Sequence, residues 1–357
     1  MTRINPGGTI GILGGGQLGR MIALAAARLG YHCNVYCPDA GSPAFHVAQY
    51  TTIADYTDEA ALMAFCDSVD VVTYEFENIP AETAALVAKV KPLRPGVKAL
   101  EMTQDRLSEK DFLNGSGVTT APYKAFETRE ELDAAFAAIG RPAVAKTRRF
   151  GYDGKGQTMV KTKKDLDTVM KVTKGAPAIL EGFVNFDREI SVIVARSASG
   201  DVAAFPVGEN VHTNHILDTT VVPAAIKEIV EAKAKVMATR VANALEYVGV
   251  MAVEMFVSDI DGKIVVNEVA PRVHNSGHWT IEGAATSQFE QHVRAICDLP
   301  LGPTDTVGKV VMKNLLGKEI LDFEQYLEDP TASYHHYGKS DPRDGRKMGH
   351  VTWVKPE

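Results

Sequence analysis

At 357 residues the chain is too long for one ordinary core, so about two or three domains are expected. Hydrophobic residues make up 45% and charged residues 23%, and 45 acidic against 38 basic side chains leave a net charge of −7. That balance suits a globular protein and excludes a general nucleic-acid binder, which needs a basic surface. No signal-peptide pattern opens the sequence and no apolar run is long enough to span a bilayer, so a cytoplasmic location without membrane partners is expected. The cysteines Cys33, Cys37, Cys66 and Cys297 contain no C-x-x-C pair, which predicts reduced, buried thiols and neither a disulfide framework nor a zinc site.

Strand and helix signals alternate through about the first hundred residues. Thr9–Leu13 reads as a strand, 21–29 as an Ala-rich helix, 32–37 as a second strand and 69–76 as a later one, with helical stretches near 58–66 and 80–90. Such alternation predicts a doubly wound parallel sheet with helices on its faces. After the first strand, Gly14-Gly15-Gly16-Gln17-Leu18-Gly19 fits G-x-G-x-x-G, and Asp39 falls twenty residues beyond Gly19. Glycines permit a tight turn and a helix N-terminus offers N–H groups to an anion. Alone, this segment fits a nicotinamide dehydrogenase as well as a packing turn.

From about Val118 the pattern changes. TTAPYKAF (119–126) and PAVAKT (142–147) read as strands around a helix over 128–139. Lys146 ends the second strand, and Arg148-Arg149-Phe150-Gly151-Tyr152-Asp153-Gly154-Lys155-Gly156-Gln157 follows before a strand-like TMV (158–160) and a helix over 164–173. Strands at both ends predict an antiparallel hairpin, and no Lys-Ser or Lys-Thr pair opens a helix after the loop, so it is not a Walker A loop. A flap whose glycines and lysines, Lys146 and Lys155, cover a polyphosphate fits better. Strands over 179–184 and 189–196 continue the sheet. Glu181-Gly182-Phe183-Val184 ends in acceptor and backbone groups suited to an adenine amino group, and Glu189 is placed for ribose hydroxyls.

A long helix, 224–245, precedes strands 250–257 and 263–269, joined by turn chemistry at Asp261-Gly262. Glu254 lies inside the first apolar strand and Asn267-Glu268 inside the second. Carboxylates there are costly unless paired or bound to a cation, and magnesium bridges carboxylates to nucleotide phosphates. For Glu254 to face Glu268, the turn must hold an odd number of residues, such as 260–262; the sequence leaves that register open. Arg272, His274 and Asn275 follow as a polar cluster suited to a small oxyanion beside a terminal phosphate. About sixty further residues hold strand-like pieces and a basic segment, and there is no internal repeat.

Six segments in order, GGGQLGRM, YEFENIP, KTRRFGYDGKGQ, EGFVNFDREISVI, VNEVAPRVHNSGHWTIE and YGKSDPRDGRKMGHV, cover nearly the whole chain. Together they resemble the ATP-grasp superfamily and, within it, the 5-(carboxyamino)imidazole ribonucleotide synthases, the ATPase subunits of the bacterial aminoimidazole ribonucleotide carboxylase system. The resemblance implies an α/β plus α+β fold. Its parts are an N-terminal doubly wound domain (1–115), a central ATP-grasp domain of two α+β lobes (116–300, with a flap lobe over about 116–190 and a large lobe over about 191–300) and a small β-rich C-terminal part (301–357). It implies a ligase of purine synthesis that uses ATP with magnesium, or manganese in its place. Bicarbonate and 5-aminoimidazole ribonucleotide then give the carboxyamino product, ADP and phosphate through carboxyphosphate. Family members are commonly homodimers. A formate-using ligase and, on the first loop and Asp39 alone, a dehydrogenase are the alternatives.

Carried over by position, Arg106, Lys146, Gly151, Tyr152, Asp153, Gly154, Lys155, Gly156, Gln157, Glu181, Gly182, Phe183, Val184, Glu189, His212, Asn267 and Glu268 resemble ATP contacts. Glu254 and Glu268 resemble the magnesium ligands, and Arg272, His274 and Asn275 the bicarbonate and carboxyphosphate cradle. The ribonucleotide would lie against Gln17 and Leu18, with Glu75 and Tyr152 near its sugar or base and Lys339 and Arg346 on its phosphate. Asp153 is the candidate base for the attacking amine. The chain departs from the family pattern at Phe150, where glycine is frequent, and at Val273, where proline is frequent; His215 carries no assigned role.

Overall fold

Residues 3–151 and 156–356 are described by a computed structural model, so Tyr152, Asp153, Gly154 and Lys155 lie outside the described residues. The N-terminal alternation produces a parallel sheet of β1 (Thr9–Leu13), β2 (His32–Tyr36), β3 (Tyr50–Thr52) and β4 (Val71–Tyr74), in the order β3-β2-β1-β4. Its inner strands, β1 and β2, are buried from their second residue onward because helices cover both faces. Helix Gln17–Arg28 buries Leu18, Met21, Ile22, Ala25 and Ala26 at helical spacing. The four cysteines are free and buried.

A second sheet is antiparallel throughout, with β5 (Tyr123–Phe126), β6 (Ala143–Thr147), β7 (Gln157–Val160) and β8 (Ala178–Gly182) in the order β5-β8-β6-β7. Lys146 pairs with Gln157, so the basic loop joins two neighbouring antiparallel strands as the hairpin reading expects. Helices Arg129–Ile139 and Asp165–Thr173 contribute Leu132, Phe136, Leu166 and Val169 to its core, the first helix closed by a Thr128–Glu131 capping box.

The third sheet has nine strands: β9 (Arg188–Arg196), β10 (Val202–Ala204), β11 (Gly208–Thr213), β12 (Ile216–Val222), β13 (Gly249–Val257), β14 (Ile264–Ala270), β15 (Lys309–Leu316), β16 (Ala332–His336) and β17 (Lys347–Lys355). Their order is β14-β13-β9-β11-β12-β15-β17-β16, with β10 beside β9, so the C-terminal strands extend the sheet that carries Glu254. One core ties this sheet to the N-terminal domain, with Ile10 and Ile22 in the same cluster as Trp279, Phe289 and Val310. The helix expected over 224–245 spans Glu228–Ala244. Its first residues are held by the sheet instead, as the Ala224 N–H donates to the Val207 carbonyl and the Ala225 N–H to Glu209.

The odd-numbered turn that would by itself set Glu254 opposite Glu268 is not what the chain uses. Val257 pairs with Ile264 across six residues, 258–263, and Met255 pairs with Val266. The register then shifts, and Glu254 pairs with Glu268. Asn267 is the extra residue of a β-bulge, which brings the two carboxylates opposite each other despite an even turn.

Candidate active site

Because of the bulge, Asn267 and Glu268 both line the same cavity as Glu254, a space of about 820 Å³ between the second and third sheets. A neighbouring cavity of about 420 Å³ reaches from that point to the N-terminal domain, and Arg106, Glu254, Glu268, His274, Asn275 and Lys347 line both. Two acids on facing bulge positions repel one another. Burial and Glu268 hold the Glu254 carboxyl above its ordinary range. Burial also acts to raise Glu268, but Arg106 and Lys146 outweigh it and keep that carboxyl low.

Arg106 reaches Glu268 at 2.9 Å from helix Arg106–Gly115. Asp105 caps the helix by accepting the Leu107 and Ser108 N–H groups, and it also accepts from Arg148 at the root of the flap. Positions 106, 109 and 110 share one helical face, so Glu109 and Lys110 point the same way as Arg106. Lys110 and Lys146 both sit 3.2 Å from Glu181 Oε2. Burial alone would raise the Glu181 carboxyl, yet the two lysines hold it below its ordinary value. Its other oxygen, Oε1, is buried without a hydrogen-bond partner. Gly182, Phe183, Val184 and Gln157 line the same cavity. Glu189 lies there too, with its carboxylate 3.1 Å from His212 Nδ1; burial opposes protonation of His212, but Glu189 raises its pKa overall. Gly156 does not line the cavity, and its carbonyl accepts from the Thr147 N–H. Asn214 and His215, both with positive φ, make the two-residue turn between β11 and β12, which gives His215 a conformational role at the cavity rim.

The second cavity is lined by Gln17, Leu18, Glu75, Gly151, Arg272, His274 and Asn275. Glu75 accepts hydrogen bonds from the Gly16 and Gly19 N–H groups at 3.0 and 3.1 Å. A Cβ on Gly14 would fall 2.4 Å from Glu75 Cγ, and one on Gly16 would fall 2.6 Å from Glu75 Oε1. The glycines thus admit an internal carboxylate to the helix N-terminus, where a dinucleotide pyrophosphate would otherwise bind. Asp39 accepts from the Gly41 N–H in a local turn. The dehydrogenase reading fails on both counts.

Arg272 is gripped in a two-pronged ion pair by Glu77, whose second contact is 3.1 Å. The Ser276 N–H donates to His274 Nδ1 at 3.3 Å, so Nδ1 is an acceptor and the proton sits on Nε2, 3.4 Å from Glu254. Burial, then Arg272, keeps this histidine neutral. Asn275 exchanges a reciprocal pair of 2.8 Å amide bonds with Asn314. Lys339 and Arg346 line neither cavity. Lys339 donates to the Lys347 carbonyl at 2.7 Å and Arg346 to the Asp341 carbonyl at 2.9 Å. Phe150 lines the second cavity with φ at 60°, the left-handed conformation for which glycine is suited, whereas Val273 is fully buried in the core. Sequence reasoning missed Glu77, Glu109 and Lys110. Glu77 stood in the quoted YEFENIP segment, and the other two follow from the helical spacing after Arg106.

Three family models match in chain order: the ribonucleotide synthetase preATP-grasp domain over 8–104, the ATP-grasp domain over 111–289 and the phosphoribosylaminoimidazole carboxylase C-terminal domain over 310–357. The protein is an ATP-grasp ligase. It is 49% identical over 357 residues to the N5-carboxyaminoimidazole ribonucleotide synthase of Brucella melitensis biotype 1, covering 99% of this chain and 98% of that one. A solved ADP complex of an N5-carboxyaminoimidazole ribonucleotide synthetase superposes with a TM-score of 0.96 at 45% identity, covering 99% of this chain and 94% of that one. An Aspergillus clavatus N5-carboxyaminoimidazole synthase, solved with ADP and 5-aminoimidazole ribonucleotide, superposes with a TM-score of 0.92 at 31% identity, covering 98% and 94%. The chain belongs to the N5-carboxyaminoimidazole ribonucleotide synthase family of purine biosynthesis.

Proposed function

We propose that this chain joins bicarbonate to the exocyclic amine of 5-aminoimidazole ribonucleotide, using ATP, across the junction of the two cavities. The observation that carries the reading is the Glu254–Glu268 pair, which lines both. ATP fits the larger cavity, with adenine against residues 181–184, where the unpartnered Glu181 Oε1 offers an acceptor for the amino group. Glu189 suits the ribose, and Lys146 and Arg106 face the phosphates.

The two carboxylates fit a magnesium ion, or manganese, because their mutual repulsion calls for a cation and their oxygen donors suit a hard one. Glu254 and Glu268 would hold it, with Asn267 beside them, and when bound it neutralises charge on the terminal phosphates. A bicarbonate oxygen attacks the γ-phosphorus, the bond to ADP breaks, and carboxyphosphate results. Arg272, fixed by Glu77, and the neutral His274 supply donors to its oxygens. The amine then attacks the carboxyl carbon, directly or after carbon dioxide forms, and phosphate departs. By the family resemblance Asp153, which lies outside the described residues, is assigned the amine proton. The ribonucleotide lies along Gln17, Leu18 and Glu75, which line the smaller cavity with Lys347; Lys339 and Arg346, outside both cavities, are assigned to its phosphate by the family resemblance alone.

The proposed division of labour follows three segments, 1–115 for the ribonucleotide, 116–300 for ATP and 301–357 for the phosphate clamp. A cytoplasmic homodimer is the proposed state. Among the described residues no helix is long and apolar enough to cross a membrane. ADP release measured with each of ATP, bicarbonate and aminoimidazole ribonucleotide omitted in turn tests the reading. Turnover that ignores the ribonucleotide overturns the substrate, and turnover supported by formate in place of bicarbonate favours the alternative ligase.

A further inference from the structure

The C-terminal strands bring together a second set of ligating side chains, none of which lines either cavity of the ATP site. His335 on β16 and His350 on β17 are directly paired in register, and their rings stack at 4.3 Å and 8°. Glu282, at the end of the 266–282 segment, places Oε1 2.7 Å from His335 Nε2. One ligand atom from each of the three lies within 4.8 Å of the other two.

Two atoms in this cluster lack what burial demands. His350 is 0% exposed, and its Nδ1 meets the Tyr337 hydroxyl at 2.9 Å, while its Nε2 is buried with no hydrogen-bond partner. Glu282 Oε2 is likewise buried and unpartnered. Buried polar atoms are nearly always satisfied, so two orphans at one cluster call for a missing partner. A Tyr hydroxyl on the far ring nitrogen also orients an imidazole as outer partners of metal-bound histidines do.

We propose that Glu282, His335 and His350 form a structural site for a first-row divalent transition metal, with zinc as the ion their chemistry suits. Two imidazoles and a carboxylate match zinc, whereas magnesium and calcium take oxygen ligands. Both rings stack face to face, so one must tilt for both nitrogens to reach a single ion. His335 supplies that tilt, because it lies on the edge strand and is part-exposed, while His350 is fixed by Tyr337. The ion would pin β16 and β17 to the Thr280–Gly283 helix. It would thereby brace the segment bearing Lys339 and Lys347, flanked by His335 and His350, against the end of the 272–275 cradle.

The test is titration of the metal-depleted full-length protein with Co²⁺, followed by displacement with Zn²⁺. One equivalent of Co²⁺ with the visible absorption of an imidazole-ligated ion is expected, together with a melting temperature raised by Zn²⁺. His335→Ala, at a part-exposed edge, and Glu282→Gln, nearly isosteric, should each weaken binding by at least roughly tenfold, the lower end of the cost of losing even an outer partner. Glu268→Gln should leave the signal intact and so separate this site from the ATP cleft. Absence of the Co²⁺ signal in the unaltered protein, its persistence in His335→Ala, or its loss in Glu268→Gln overturns the proposal.

Discussion

Glu254 stands opposite Glu268 because Asn267 is an extra residue in β14, not because of the turn that joins the strands. A plain six-residue connection would pair Glu254 with Asn267, leaving Glu268 on the other face. The bulge places all three polar side chains in one cavity. Glu268→Gln keeps the shape and the contact with Arg106 but removes the second negative charge. Turnover should fall at least about 100-fold with ADP affinity changed far less, read by steady-state kinetics and calorimetry. Unchanged turnover contradicts the metal role.

Burial, then Arg346, holds the Lys339 ammonium down to about 8 from its ordinary value. The cation exists below that pH and is lost above it, so affinity for a phosphate at this position falls as pH rises through about 8. kcat/KM for the ribonucleotide should therefore decline there, since it reports the free enzyme. Lys339→Ala should lower it roughly 10-fold to 100-fold and flatten the profile. An equal rise in KM for ATP would place Lys339 in the wrong pocket.

Arg272→Lys removes the two-pronged fit to Glu77 while keeping the charge. kcat/KM for bicarbonate should fall by at least about tenfold, with ADP affinity within about twofold. Parallel losses for both ligands would show that Arg272 serves the nucleotide instead.

Glu109 is buried, accepts the Val269 N–H at 2.6 Å, and is pushed up to about 8 by burial and by Glu268. Between its ordinary value of 4.5 and about 8 the unfolded chain gives up this proton while the folded chain keeps it. Stability therefore falls as pH rises through that window, by at most about 1.4 kcal/mol per pH unit from this group, and levels off above it. Glu109→Gln, which retains an acceptor, should remove that component in denaturant titrations across the window. An unchanged slope would mean that Glu109 ionises normally.

The parallel sheet and the flap hairpin were legible because alternation and turn residues are local signals. Positions that line the two cavities were legible through segments such as KTRRFGYDGKGQ and VNEVAPRVHNSGHWTIE, which supply Lys146, Gln157, Glu268 and His274. The bulge at Asn267 was not, since register depends on a neighbouring strand as well as on the turn. Nor was the use of the first glycine loop by Glu75, 56 residues beyond Gly19, since that contact exists only after β1 and β4 pair. Glu77 and Lys110 were missed for the same reason: each gains its meaning from a distant partner, Arg272 and Glu181.

The shared cleft is tested most directly by the fate of oxygen from ¹⁸O-labelled bicarbonate. If bicarbonate attacks the γ-phosphorus beside the Glu254–Glu268 pair, one labelled oxygen should appear in the released phosphate, dependent on ATP and abolished in step with turnover by Glu268→Gln. Phosphate carrying no label during active carboxylation would contradict activation of bicarbonate at this site.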